Sequence, residues 1–410
     1  MSSSTQRVER LVVGGGIGGL AAALAMARRG MAVHVIERAP AFEEIGAGIQ
    51  LAPNASRVLD RLGILEAVEA DAVKPPMATL MNAETGQRIA AIDFGKRFLK
   101  LYGYPYIVTH RTDLLNAILR QCQASPLVTL EADKEVVSVE DGDDSASVAC
   151  ADGTRYEARA LVGADGIWSV VRRHIVGDGD PAYVGDVAYR GTIPTRAMPD
   201  RAATENLTWW IGPSMHLIQY PVRRRELLNQ VIVFTAEGSS TGQDPQDWGP
   251  PEEIDARFQG KAEPVREAAK LIDRTRRWVL RDRAPVENWT RGRATLLGDA
   301  AHPMVQYLAQ GACQAIEDAE ALAQSLDSHR GDVRSALLAY QAARIPRTSA
   351  AQVWGRRMGE IVHADGLLAA VRDELLGGRD MGDFRYVDWL YGYRPGLGGN
   401  VLADTGKRGL

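Results

Sequence analysis

One short stretch, Gly14-x-Gly16-x-x-Gly19, constrains this chain more than any other part of it. It follows an apolar run, Arg10-Leu-Val-Val13, that reads as a short buried strand. It opens Leu20–Arg29, which is alanine-rich and helix-favouring, with Gly30 where a helix end prefers glycine. Ala32-Val-His-Val-Ile36 then reads as a second strand ending at Glu37. Strand, glycine turn, helix and strand make a βαβ unit. The glycines allow a tight turn and close approach of a pyrophosphate, and the helix start offers free N–H groups and a favourable dipole. Glu37, 18 residues past Gly19, is placed to accept hydrogen bonds from a ribose, and Arg38 beside it joins the cofactor-binding set. The plainer alternative is a glycine turn used only for packing.

The apolar stretch Leu11–Ala27 is flanked by Arg28 and Arg29 and resembles a membrane or signal segment. The five glycines between Gly14 and Gly19 argue against that, because they make a poor spanning helix. The first ten residues, MSSSTQRVER, carry no long apolar core, so a cytoplasmic protein without a membrane anchor is expected. Lys and Arg total 48 against 52 Asp and Glu, which gives no electrostatic footprint for nucleic acid. The three cysteines lie far apart, so neither a disulfide framework nor a thiolate metal site is expected, and no metal is assigned. Cys313 reads as a small packing residue.

Further along, Asn54–Leu65 reads as a helix, residues 77–92 as a hairpin and Arg111–Ala124 as a strong helix. Short strands alternate with turns from Val128 to Val162. Residues 183–236 are strand-rich, 238–251 look like an exposed loop, and 252–272 and 312–375 are mainly helical. Two strand ends carry further motifs: Gly163-Ala-Asp165-Gly166, and Leu297-Gly298-Asp299-Ala-Ala-His302-Pro303. Either could be an ordinary Asx turn.

Taken in this order, the three motifs resemble the flavoprotein aromatic hydroxylases, the single-component FAD monooxygenases. The resemblance covers nearly the whole chain. It implies an α/β fold: a Rossmann-like FAD-binding domain, a β-sheet substrate domain and a C-terminal helical segment. The FAD-binding domain would be assembled from residues 1–76, 100–180 and 281–354, the substrate domain from 77–99 and 181–280, and the tail from 355–410. It implies that Asp165 lies near the cofactor pyrophosphate and the NAD(P)H path, that Asp299 binds the ribityl chain, and that Arg111 contacts the FAD phosphates. Gly48, in Gly46-Ala-Gly-Ile-Gln50, falls in a loop like the family's flavin-side loop. Gln310-Gly311-Ala312-Cys313 opens a helix whose N-terminus would stabilise negative charge on the reduced flavin. No second Gly-x-Gly-x-x-Gly is present, so the nicotinamide, NADH or NADPH, would visit as a transient co-substrate.

On the substrate side, Gly212-Pro-Ser-Met-His216-Leu-Ile-Gln-Tyr220 reads as a strand with His216, Ile218 and Tyr220 on one face. From spacing alone this is better read as a half-buried strand whose polar groups find partners. Gln306 follows the Asp299 motif and would sit beside the flavin. With Ala188-Tyr-Arg-Gly-Thr192 and Asp388-Trp-Leu-Tyr-Gly392, these residues are most similar to the 3-hydroxybenzoate 6-hydroxylases. That resemblance implies a small aromatic acid and dioxygen as substrates, a flavin C4a-hydroperoxide as oxygen donor, and gentisate as product. His216, Gln306 and Tyr220 would be the catalytic set, with His216 taking the phenolic proton. Salicylate hydroxylation to catechol is the nearest rival, followed by a non-catalytic escort-type module and by an FAD oxidase or dehydrogenase. No residue stands out in the sequence as partner for a substrate carboxylate; Arg190 and Arg223–Arg225 are the candidates, the latter better read as a solvated turn. The apolar spacing of Met358–Leu375 suits a cap on the FAD domain, packing on its own chain, or a homodimer interface.

Overall fold

The structure, a computed structural model, describes residues 5–43, 46–198, 204–240 and 250–394. Strand β1 (Thr5–Val13) runs through the glycine turn into α1 (Ile17–Ala27) and returns as β2 (Val33–Ile36). Leu11, Val12 and Val13 are all buried, as expected of a strand covered on both faces. Next come β3 (Gly48–Leu51), α2 (Pro53–Arg61) and α3 (Leu65–Glu69). The helix expected over Asn54–Leu65 forms as α2 but ends at Arg61, and α3 begins only at Leu65. Gly63, at φ 71°, takes the left-handed conformation that ends a helix.

The hairpin β4 (Met77–Asn82) and β5 (Arg88–Asp93) forms as expected. Then follow α4 (Lys96–Tyr102), β6 (Ile107–His110), α5 (Arg111–Gln123), β7 (Val128–Glu131), β8 (Val136–Asp141), β9 (Ala146–Cys150), β10 (Arg155–Gly163) and α6 (Val170–Ile175). Four long strands come next: β11 (Ala182–Pro194), β12 (Leu207–Gly212), β13 (Met215–Val222) and β14 (Leu227–Thr235). The helical stretch 252–272 is divided into α7 (Glu253–Phe258) and α8 (Glu263–Leu271). Strands β15 (Trp278–Asp282), β16 (Thr290–Arg291) and β17 (Ala294–Leu296) lead to α9 (Gly311–Ser328), α10 (Val333–Val362), α11 (Gly366–Gly377) and α12 (Asp388–Tyr391). The end of the chain, residues 395–410, and residues 241–249 of the expected loop lie outside the described residues.

The strands form two main sheets. In the first the order is β16-β17-β10-β1-β2-β7, with β8 and β9 attached beside β10. Strands β17, β10, β1, β2 and β7 are mutually parallel. Their carboxyl ends therefore lie along one edge, where open α/β sheets bind ligands. Gly14, Glu37, Ala164 and Leu297 each stand just past such an end. The second sheet runs β15-β11-β14-β13-β12-β4-β5 and is antiparallel except between β12 and β4.

A buried ion network ties the helices to this edge. Arg344 of α10 meets Asp318 at 2.6 Å and Glu317 at 2.7 Å, both on α9, and all three side chains are fully buried. Arg347 adds a bond to Glu317 at 2.9 Å and donates to the Leu390 carbonyl of α12. Asp318 also accepts from the Gly298 amide and contacts His302 Nε2. Burial pushes the Asp318 carboxyl up, but His302 and Arg344 outweigh that and hold it down at about 2.

The tail departs from a simple amphipathic helix. Val362 is buried, but Leu367, Leu368 and Leu375 of α11 are largely exposed, while Arg372 between them is buried. Among the described residues, Met358 and Val362 of the stripe pack on the chain's own core, and Leu367, Leu368 and Leu375 do not. No helix among the described residues is long and apolar enough to cross a membrane.

Candidate active site

The glycine turn is fixed by close backbone packing. Gly14 has φ 109°, and a Cβ there would sit 2.3 Å from the Ala164 carbonyl oxygen. A Cβ on Gly19 would sit 2.0 Å from the Gly14 carbonyl oxygen, so α1 could not start where it does. Glu37 closes the turn from the next strand, accepting from the Gly15 amide at 2.7 Å and the Ala39 amide at 2.9 Å. Its carboxylate is thus a clip on the turn as well as a ribose acceptor in prospect. Arg38 is exposed beyond the end of β2.

Asp165 is turned away from the edge. It accepts from Val170 N at 2.7 Å and from the Ser169 hydroxyl, so it caps α6, and burial raises its carboxyl. Its neighbours Ala164 and Gly166 face the cavity instead. Asp299 lies in the turn Gly298–Ala300, exposed toward that cavity, and Gly311 stands close to its Oδ1. Gly311 and Ala312 begin α9 and line the same space. So does Arg111, the first residue of α5. Gly48 lines it as well, and its amide donates to Asn229 Oδ1 of β14 at 2.6 Å. That bond joins the flavin-side loop to the second sheet.

The cavity has a volume of about 680 Å³ and runs between the two sheets. Gly16, Asp299 and Gly311 line one part, and His216, Tyr220 and Gln306 another. Alternation along β13 turns His216, Ile218 and Tyr220 into it, while Leu217 packs in a separate core. His216 is 2% exposed. Burial pushes its imidazole well below the ordinary range, and His363 pushes it further the same way. Both effects favour the uncharged imidazole. Tyr220 is held protonated by burial. Gln306 opens a short helical turn, and its buried Nε2 has no protein partner.

The cavity fits a long cofactor with a phosphate-bearing middle. Two helix starts, those of α1 and α9, reach it from different parts of the chain, and Gln306 offers it an unspent donor. Apolar side chains such as Leu80, Trp209 and Ile211 complete the wall. Arg190 also lines it, stacked on Trp278 at 4.0 Å. Arg223–Arg225 form a turn with φ of 48°, 53° and 69°, and Arg223 pairs with Asp113 at 3.0 Å. Cys313 is buried against the Gln50 carbonyl, its thiol pushed up to about 12 by burial, which makes it a packing residue.

Two residues at this site belong to no sequence motif, His363 and Asp186, and Tyr307 beside Gln306 joins them. His363 ends α10, 147 residues from His216, and meets His216 Nδ1 at 2.8 Å. Only the fold brings them together.

The FAD binding domain family matches residues 7–354 of the chain. The 3-hydroxybenzoate 6-hydroxylase 1 of Aquipseudomonas alcaligenes is 42% identical over 387 residues, 93% of this chain and 97% of that protein. The 3-hydroxybenzoate 6-hydroxylase of Polaromonas naphthalenivorans is 39% identical over 98% of this chain and 100% of its own. Among solved structures, a Klebsiella pneumoniae HpxO variant complexed with FAD has a TM-score of 0.79 at 25% identity, covering 90% of this chain and 94% of that one.

Proposed function

This chain belongs to the FAD binding domain family, and we propose that it is a flavin-dependent monooxygenase converting 3-hydroxybenzoate to gentisate with NADH and dioxygen. The observation that carries the reading is a single cavity with the glycine turn and Asp299 at one part and His216, Tyr220 and Gln306 at another. Relatives named as 3-hydroxybenzoate 6-hydroxylases at 42% and 39% identity support the substrate.

The start of α1 would hold the FAD pyrophosphate, Arg111 a phosphate oxygen, Asp299 the ribityl hydroxyls and the start of α9 the flavin edge. FAD, when bound, would supply the redox chemistry by which NADH and dioxygen yield one electrophilic oxygen atom. The protein's part is to make the ring electron-rich and keep water away. His216 removes the phenolic proton, which raises electron density ortho and para to the oxygen. The para carbon of 3-hydroxybenzoate is position 6. Tyr220 and Gln306, which line the cavity, would orient the ring within it. The apolar wall excludes water, so oxygen goes to the ring and not to peroxide. The reading places the reaction in the cytoplasm, where reduced nicotinamide is available.

The purified protein is expected to be yellow, with NADH consumption stimulated by 3-hydroxybenzoate and gentisate as product by chromatography. Catechol from salicylate, with no product from 3-hydroxybenzoate, would move the substrate. A protein that cannot be reconstituted with FAD would end the reading. Asp299→Ala is expected to weaken FAD retention by roughly tenfold or more, the worth of a hydrogen bond to a charged group. Equal FAD content after gel filtration would remove Asp299 from the cofactor site.

A further inference from the structure

Against His216 stands a second histidine backed by a carboxylate, and neither of the two is among the residues that line the cavity. His216 Nδ1 and His363 Nε2 are 2.8 Å apart, so a proton lies between them. Asp186 of β11 approaches the other nitrogen of His363, Nδ1, at 4.0 Å. That is too long for a direct hydrogen bond but close enough for the carboxylate to favour a proton on Nδ1. Asp186 is held in place by two hydroxyls, those of Thr235 at 2.8 Å and of Tyr307. Tyr307 and Trp209 pack against the His216 ring. Arg372 of α11 also reaches this end of α10, where it donates to the Ile361 and Val362 carbonyls and pairs with Asp373 at 2.8 Å.

These positions favour one tautomer. With its proton on Nδ1, His363 can only accept at Nε2. His216 must then donate from Nδ1, which leaves its Nε2 bare. Burial makes His216 a poor resting place for a proton, so a proton arriving at Nε2 needs an exit through Nδ1. His363 is also lowered by burial, but Asp186 acts in the opposite direction.

Resting on the hydroxylase reading above, we propose that His363 and Asp186 are positioning residues that set His216 as the base and carry its proton away from the ring. The phenolic O–H breaks as His216 Nε2–H forms, and His216 Nδ1–H breaks as His363 Nε2–H forms. The charge ends as phenolate on the substrate and imidazolium on His363, beside the Asp186 carboxylate. No other reactant is needed.

The test uses the flavinated enzyme, 3-hydroxybenzoate labelled with ¹³C at C3, and NMR detection of phenol ionisation against pH. A free phenol of this kind ionises near pH ~10. His363→Gln is expected to raise the pH at which the bound phenol ionises by about one unit or more, a tenfold change in proton affinity. Asp186→Asn should move it the same way by less. In turnover, gentisate formed per NADH should fall on the order of a hundredfold at neutral pH in His363→Gln. It should recover as the pH rises toward that of the free phenol. A merely structural loss would be equal at every pH and would overturn the proposal. An unmoved phenol titration in His363→Gln, alongside a shift in His216→Ala, would also overturn it, because the proton would then end at His216. If the wild-type enzyme makes no gentisate, the hydroxylase reading itself fails before any variant is compared.

Discussion

His216→Ala is expected to retain FAD and its reduction by NADH, yet to lose roughly two to four orders of magnitude in gentisate formation. The side chain is 2% exposed and its loss leaves the cavity with no neutral imidazole. Tyr220 cannot substitute, because burial keeps its phenol protonated. Without a base the substrate phenol stays neutral at pH 7, and its para carbon is too electron-poor to accept oxygen. NADH is then consumed with peroxide as the product. Measuring gentisate, peroxide and NADH together checks this. Full coupling in the variant would place the proton acceptor elsewhere.

Arg344→Met is expected to destabilise the protein by about 3–5 kcal/mol, the cost of leaving a buried charge unpaired. Arg344 neutralises Glu317 and Asp318, all fully buried, and Arg347 alone cannot reach both carboxylates as arranged. The damage should not stay in the helices. Asp318 holds the Gly298 amide and His302, so the Asp299 turn would loosen and FAD retention would fall with stability. Urea unfolding with flavin release as a second probe checks both. Arg330→Met serves as the control, because Arg330 pairs with Asp327 at the surface, where ion pairs contribute little. The same network fixes a pH dependence. The folded Asp318 carboxyl lies below its unfolded value, so its contribution is complete above about 4 and is lost as pH falls through about 2.

The residues that could be read from the sequence are those whose signal is local. The glycine turn, the strand ends after Ile36, Gly163 and Leu296, and the alternation of His216, Ile218 and Tyr220 all depend on neighbours in the chain. Asp165 was legible as a motif but not as a cap, because which way a carboxylate turns after a strand depends on the helix that follows. Nothing local in the sequence marks Glu317-Asp318 of α9 as buried. The pair is buried because two arginines nearly thirty residues later arrive on α10. His363 and Asp186 had no signal at all, since each is an isolated residue given meaning by tertiary contact. Periodicity found α2 but overran its end, because the apolar pattern continues past Gly63, where the chain leaves the helix.

The most direct measurement is turnover of 3-hydroxybenzoate with NADH under ¹⁸O₂, followed by mass spectrometry and NMR of the product. The account predicts gentisate carrying one ¹⁸O, on the carbon para to the original hydroxyl. Unlabelled product, or oxygen placed ortho to that hydroxyl, would contradict it.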